Sequence, residues 1–373
     1  MNNNKTGGTD SISPATLRRV LAASAIGNFI EWFDFAIYGF MAVIISQHFF
    51  PQGDPTLALI QTFAVFAVSF ALRPLGGIFF GTLGDRIGRK NVLAITIIMM
   101  ASATALIGLL PTYQSIGMLA PLLLTLARCA QGFSAGGEYA GACAFVMEHA
   151  PDDKRGWYGS FIPVSTFSAF ATAAALGLGL NSLVSEATMQ AWGWRVPFLI
   201  AAPLGLIGLY MRLKLDDSPA FRLIQQEHNA TSAPLKETLT THGSTIVSLM
   251  AFISATALSF YMFSTYFATY MQVAGGATRQ TALLASLGGL IVAALLCPLA
   301  GRYSDLVGRR NTIITACGSL AIAVFPAYSL AASGTLWASM LGASLMAVGA
   351  VLCGVVTAAL LSEQFPTRVR YTA

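Results

Sequence analysis

The sequence predicts an all-α membrane protein made of two pseudo-repeated halves. Composition is the first reason: 55% of the 373 residues are hydrophobic and 10% charged, against roughly 25% charged in soluble proteins, and mean hydropathy is +0.67. Apolar runs of helix-spanning length recur along the chain, long and continuous where a membrane β-barrel would be short and alternating. The third reason is a duplicated cationic hairpin between apolar runs. GTLGDRIGRK (Gly81–Lys90) returns as GRYSDLVGRR (Gly301–Arg310), with Gly81, Asp85, Gly88 and Arg89 matching Gly301, Asp305, Gly308 and Arg309 at an offset of 220. Repeated hairpins between spans imply repeated halves.

In order, residues 1–17 read as a polar, disordered cytoplasmic tail. A first bundle of six spans covers 18–213, at roughly 20–46, 57–80, 92–110, 119–147, 157–180 and from Trp192–Arg195 to about 211. WGWR at its start reads as an interfacial aromatic anchor. Residues 214–243 form a cytoplasmic linker in which Ser218-Pro219 suits a helix start. Four spans then fill 244–373, at about 245–272, 281–300, 311–331 and 336–361. Glu148, Pro151 and Arg155 after span four are echoed by Glu363, Pro366 and Arg370 after span ten. Six spans against four predict a twelve-helix protein truncated to about ten, with two helices beyond Ala373.

Charge gives the orientation. Of 21 Lys and Arg, Arg73 and Arg128 fall within spans and only Arg195 and Arg279 on one side of them; the remaining 17 lie on the other. That asymmetry is the positive-inside pattern and places the N-terminus in the cytoplasm. It also accounts for the net charge of +5 without nucleic acid. The five cysteines sit in apolar spans and read as small buried hydrophobes. With four histidines at loops or span ends, no metal site is expected. No phosphate-binding G-x-x-x-x-G-K-[ST] occurs, so no cofactor is expected and energy comes from a gradient or another chain. The first span is long and charged at its centre, unlike a cleavable signal peptide.

Charges inside the membrane carry the functional signal. Each costs about 2.5–3.5 kcal/mol on insertion scales, so each needs a reason. Glu31, Asp34, Arg73, Arg128 and Glu138 all lie in the first half. Glu31 and Asp34 share one face of span one with Asn28 and Tyr38, roughly 18 Å deep counted from Arg19. Gln131 and Glu138 share a face of span four. The expected site is a polar cavity between spans one, two and four: Glu31 and Asp34 carry the proton with Glu138 in reserve, and Arg73, Arg128, Asn28, Trp32, Tyr38 and Gln131 bind substrate. The structural alternative is that the arginines pair with carboxylates only to hold helices together. Gly132–Gly136 fits the hydrolase pattern G-x-S-x-G, but it sits in an apolar helix and no span holds a His. The Gly132/Gly136 and Gly137/Gly141 spacing reads instead as a face for close helix contact. No catalytic residue is assigned and the chain is not expected to be an enzyme.

These stretches resemble the major facilitator superfamily. Both hairpins resemble its cytoplasmic hairpin motif, and RCAQGFSAGG (Arg128–Gly137) its helix-four motif. GNFIEWFDFAIYGF, RPLGGIFFGTLGDRIGRK, QGFSAGGEYAG and WGWRVPF resemble its metabolite:proton symporters, and PTYQSIGMLAP and DDSPAF the proline/glycine-betaine symporters among them. The resemblance implies a multi-pass protein of the bacterial inner membrane that moves a small solute with a proton by rocking two bundles. The hairpin residues Gly81, Asp85, Arg86, Gly88, Arg89, Gly301, Asp305, Gly308 and Arg309 would act as conformational gates. It also implies that Asp85 sits at the N-terminus of helix eleven, beyond this chain. Both signs of charge in the cavity favour a zwitterion such as proline or glycine betaine. The alternatives are a di- or tricarboxylate such as α-ketoglutarate or citrate, a transport-dead sensor or scaffold, and an intramembrane enzyme.

Overall fold

The structure, a computed structural model, describes residues 14–51, 53–214 and 234–365. Among these residues ten long helices follow one another: α1 (Pro14–Phe40), α2 (Pro55–Ile87), α3 (Arg89–Leu109), α4 (Leu119–His149), α5 (Phe161–Leu183), α6 (Ala201–Leu213), α7 (Pro234–Tyr261), α8 (Arg279–Val307), α9 (Arg309–Ala331) and α10 (Leu336–Glu363). Nine of the described spans are long and apolar enough to cross a membrane. The remaining long helix, α4, carries Arg128, Gln131 and Glu138 along its middle.

Helical structure reaches further than expected at several ends. Pro14 already opens α1, so the tail expected to stay disordered through residue 17 is helical from 14 onward. A proline in the first turn costs nothing there, since that N–H has no helical partner. The helix start expected at Ser218-Pro219 lies outside the described residues. Helix α7 begins within the expected linker, at Pro234, and is broken internally at His242 (φ −118°, ψ 15°).

The two hairpins are tighter than a ten-residue turn. Helix α2 continues through Gly81 to Ile87 and α8 through Gly301 to Val307, and each chain reversal rests on one glycine. Gly88 (φ 97°, ψ 148°) and Gly308 (φ 84°, ψ 162°) each end one helix and begin the next. A side chain in that region costs on the order of 1–3 kcal/mol, which is why both copies carry glycine there.

In the first half α2 packs on α4, α1 on α5, and α3 on α4 and α6; in the second, α10 packs on α8 and α9. The halves meet along α5–α8 and α4–α10. The Gly132/Gly136 face behaves as its spacing predicts. A Cβ at Gly132 would overlap the Ser69 carbonyl, and one at Gly136 the Arg73 carbonyl. Two expectations about single residues are corrected. Trp194 of the WGWR anchor is fully buried between His48, Phe49 and Phe198, leaving Trp192 at the surface. Cys317 is exposed rather than buried.

Candidate functional site

Glu31 and Asp34 stand one turn apart on α1, yet their surroundings differ. Asp34 is saturated. It accepts hydrogen bonds from Thr104 Oγ1 (2.9 Å), Arg128 Nη1 (2.9 Å) and Gln131 Nε2 (2.6 Å). Arg128 is fully buried, donates also to Gln131 Oε1 and Ser69 Oγ, and lies against the rings of Tyr38 (4.3 Å), Phe35 (5.0 Å) and Phe66 (5.2 Å). Tyr38 is fixed by its hydroxyl, which donates to the Thr62 carbonyl at 3.1 Å. A buried pair is tolerated when most of its remaining donors and acceptors are met, and here both terminal nitrogens of Arg128 donate while its Nε has no partner.

Glu31 is ion-paired but not hydrogen-bonded. Its Oε1 lies 3.0 Å from Arg73 Nη2, and neither carboxylate oxygen has an aligned donor. Arg73 keeps 22% of its side-chain surface exposed, where Arg128 keeps none. Pro74 follows it within α2 and leaves the Phe70 carbonyl without its helical donor. The Arg73 guanidinium is surrounded by Phe35 (4.2 Å), Phe70 (4.8 Å) and Trp32 (5.5 Å). Two residues of α7 close the group from the second half: Phe260, 5.2 Å from Trp32, and Tyr261, 6.2 Å from Phe70.

Glu138 forms a third pair, with a partner that sequence reasoning missed. Arg212, at the end of α6 and just past the expected end of span six, is buried and ion-paired with Glu138, which also accepts from Thr96 Oγ1 at 2.7 Å. Gly27 makes room for this pair: a Cβ on it would overlap both partners. Asn28, expected to bind substrate, also has a packing role, while its Oδ1 is buried without a hydrogen-bond partner. Its amide nitrogen reaches Ile162 O (3.1 Å), Ser165 Oγ (2.8 Å) and Thr166 Oγ1 (2.8 Å), so it ties α1 to α5.

Where a polar cavity is expected between spans one, two and four, Arg73 keeps part of its surface exposed while Glu31 is buried. Glu31 and Glu138 line one gap with Gly27, Thr96 and Ser134 that is too narrow for a water molecule. A cavity of about 330 Å³ opens near Val43, Gln47 and Thr56, with no charged side chain in its lining. Ser134 of the G-x-S-x-G sequence donates to the Thr96 carbonyl at 2.6 Å, so that pattern serves helix packing.

At the hairpin end the second copy clamps the two halves together. Asp305 accepts from the backbone N–H groups of Gly156 (2.7 Å) and Trp157 (2.8 Å), in the first turn of the short helix Arg155–Gly159 that leads into α5. Free N–H groups at a helix start attract a carboxylate. Arg309 bridges Asp305 (3.0 Å) to Glu363 (2.8 Å), and Arg302 covers the Trp157 ring at 4.2 Å. Gly301 allows the approach, since a Cβ on it would meet the Gly156 carbonyl at 2.5 Å. In the first copy Gly81 is buried and Arg86 exposed. The side chains of Asp85 and Arg89 lie outside the described residues, as does the expected contact to helix eleven.

Known proteins are similar to this chain in sequence and in fold. The glycine betaine/proline/ectoine/pipecolic acid transporter OusA of Dickeya dadantii is 39% identical over 371 residues, covering 97% of this chain and 74% of its own. The inner membrane metabolite transport protein YhjE of Escherichia coli is 40% identical over 363 residues, covering 95% and 82%. Among solved structures, the proton:xylose symporter XylE bound to 6-bromo-6-deoxy-D-glucose superposes with a TM-score of 0.74 at 18% identity, over 97% of this chain and 85% of that one. The family model of the Major Facilitator Superfamily matches residues 24–373. With that match added to ten helices, two hairpins and paired ions inside the first bundle, this chain belongs to the major facilitator superfamily.

Proposed function

We propose that this protein is a proton-coupled symporter that imports a small zwitterion such as proline or glycine betaine across the bacterial inner membrane. It sits in the bilayer as a multi-pass protein with its N-terminus and both hairpins in the cytoplasm, works without a cofactor on the proton gradient, and carries out no enzymatic chemistry. The observation that carries the reading is the contrast between two carboxylates on one helix face. Asp34 accepts from three donors, one of them a fully buried arginine, whereas Glu31 has an arginine partner and no hydrogen bond.

A proton arriving at Glu31 removes the charge that holds Arg73 and displaces no hydrogen bond. Arg73 then has an unanswered cation at the junction of the two halves, suited to a substrate carboxylate. A dicarboxylate would meet the same arginine but place its second charge against α1, beside the Asp34 carboxylate. The clamp of Asp305, Arg309 and Glu363 closes the cytoplasmic end in this conformation, and its release would expose the site to the other side. Relatives named for glycine betaine, proline and ectoine support the zwitterion, and the YhjE name supports the inner membrane.

Reconstituted vesicles with an imposed proton gradient test the reading, using labelled glycine betaine, proline, α-ketoglutarate and citrate. Accumulation of a zwitterion that collapses with an uncoupler is expected. Saturable uptake of only the carboxylates would shift the substrate class. No uptake of any of the four, with binding retained, would favour a sensor.

A further inference from the structure

We infer that Arg73 is a tethered stand-in for the substrate's cationic group: its guanidinium fills the aromatic box of the binding site in the empty protein, and a quaternary ammonium zwitterion binds by displacing it. The inference rests on the symporter reading above and adds which atoms the substrate replaces. A cation enclosed by aromatic faces beside a carboxylate is the environment that recognises quaternary ammonium groups. Here that environment is complete and already occupied, by Phe35, Phe70 and Trp32 around the guanidinium and Glu31 at 3.0 Å.

Three details mark the occupant as replaceable. Arg73 Nε and Nη2 donate to nothing, so its hold on the box is charge and ring contact, which an ammonium without N–H groups supplies equally well. By contrast Arg128, whose Nε is also without a partner, spends both terminal nitrogens on Asp34, Gln131 and Ser69 and is fixed by them. Arg73 is partly exposed where Arg128 is not, leaving it somewhere to go. Once displaced, it can follow the substrate's own carboxylate, so one side chain changes from occupant to anion receptor. Phe260 reaches the box from α7, so its contents are felt by both halves.

The arrangement sets a specificity rule. A cation lacking a carboxylate, such as choline, would evict Arg73 and give it no counter-ion, so the wild-type protein rejects it. Arg73→Gln empties the box and removes the anion receptor together. Calorimetric titration of the purified full-length chain with glycine betaine and with choline reads both effects. Betaine affinity is expected to fall and choline affinity to rise, each by about tenfold or more, the scale of a desolvated cation–π contact. Unchanged betaine affinity together with no choline binding would overturn the inference while leaving the symporter reading intact. Wild-type vesicles that take up no zwitterion would overturn the symporter reading, whatever the variant binds. If Arg73→Gln does not fold, Phe70→Leu thins the box without touching a charge. It is expected to weaken betaine binding about tenfold, and wild-type affinity in that variant would equally sink the inference.

Discussion

Asp34→Asn is expected to destabilise the protein by about 3–5 kcal/mol, the usual cost of leaving one member of a buried ion pair unmatched. Glu31→Gln, three residues earlier, is expected to leave the protein folded and to abolish proton-driven accumulation. The difference follows from the partners. Removing the Asp34 charge strands Arg128, which is fully buried with nowhere to turn. Removing the Glu31 charge strands Arg73, which is partly exposed and loses no aligned hydrogen bond. Exchange down a solute gradient should survive in Glu31→Gln, because substrate binding does not need the proton to leave. Thermal melts in detergent, paired with uptake driven by an imposed pH gradient, separate the two variants. Equal stability and equal loss of accumulation would mean that the two carboxylates share one role.

Asp305→Ala should open the hairpin end of the bundle. Two backbone N–H groups and Arg309 converge on that carboxylate. Hydrogen bonds to a charged group contribute roughly 1.5–3 kcal/mol each. Losing the two from Gly156 and Trp157 therefore shifts the closed-to-open ratio by about 10²-fold or more. A cysteine placed at Ser160, buried beside the clamp, should label much faster with a water-soluble thiol reagent in the Asp305→Ala background. Labelling at the parent rate would show that the clamp does not hold this end shut.

Much of the architecture was legible because few sequences can meet the constraints of a bilayer. Continuous apolar runs, glycines spaced four apart and a glycine at each hairpin reversal are local requirements, and they appear in the sequence where the structure uses them. The ions were visible for the same reason, since a charge within an apolar run stands out. Their partners were not. Glu138 finds Arg212 across 74 residues, and Asp34 finds Thr104 across 70. Arg212 looked like one more cation on the positive side, and Thr96 and Thr104 looked like filler in an apolar helix. Only the folding of α3 and α6 against α1 and α4 makes them donors. Phe260 and the π-helical turn Met262–Tyr266 beyond it were equally hidden, because an aromatic in a membrane helix faces lipid or protein with no difference in pattern. The sequence treated Glu31 and Asp34 as equivalent; hydrogen bonds, which leave no periodic trace, distinguish them.

The three buried pairs, Glu31–Arg73, Asp34–Arg128 and Glu138–Arg212, have an electrical consequence. Six ions at membrane depth sum to zero, so rocking the first bundle through the membrane field displaces no net charge from them. A zwitterion adds none. The proton is then the one species on which the field acts, at about 2.3 kcal/mol per 100 mV for a full crossing. The return of the empty carrier should be indifferent to voltage, and currents on a solid-supported membrane should appear only when substrate and proton move together. A charge movement in the unloaded protein would show that one of the three pairs parts during the cycle.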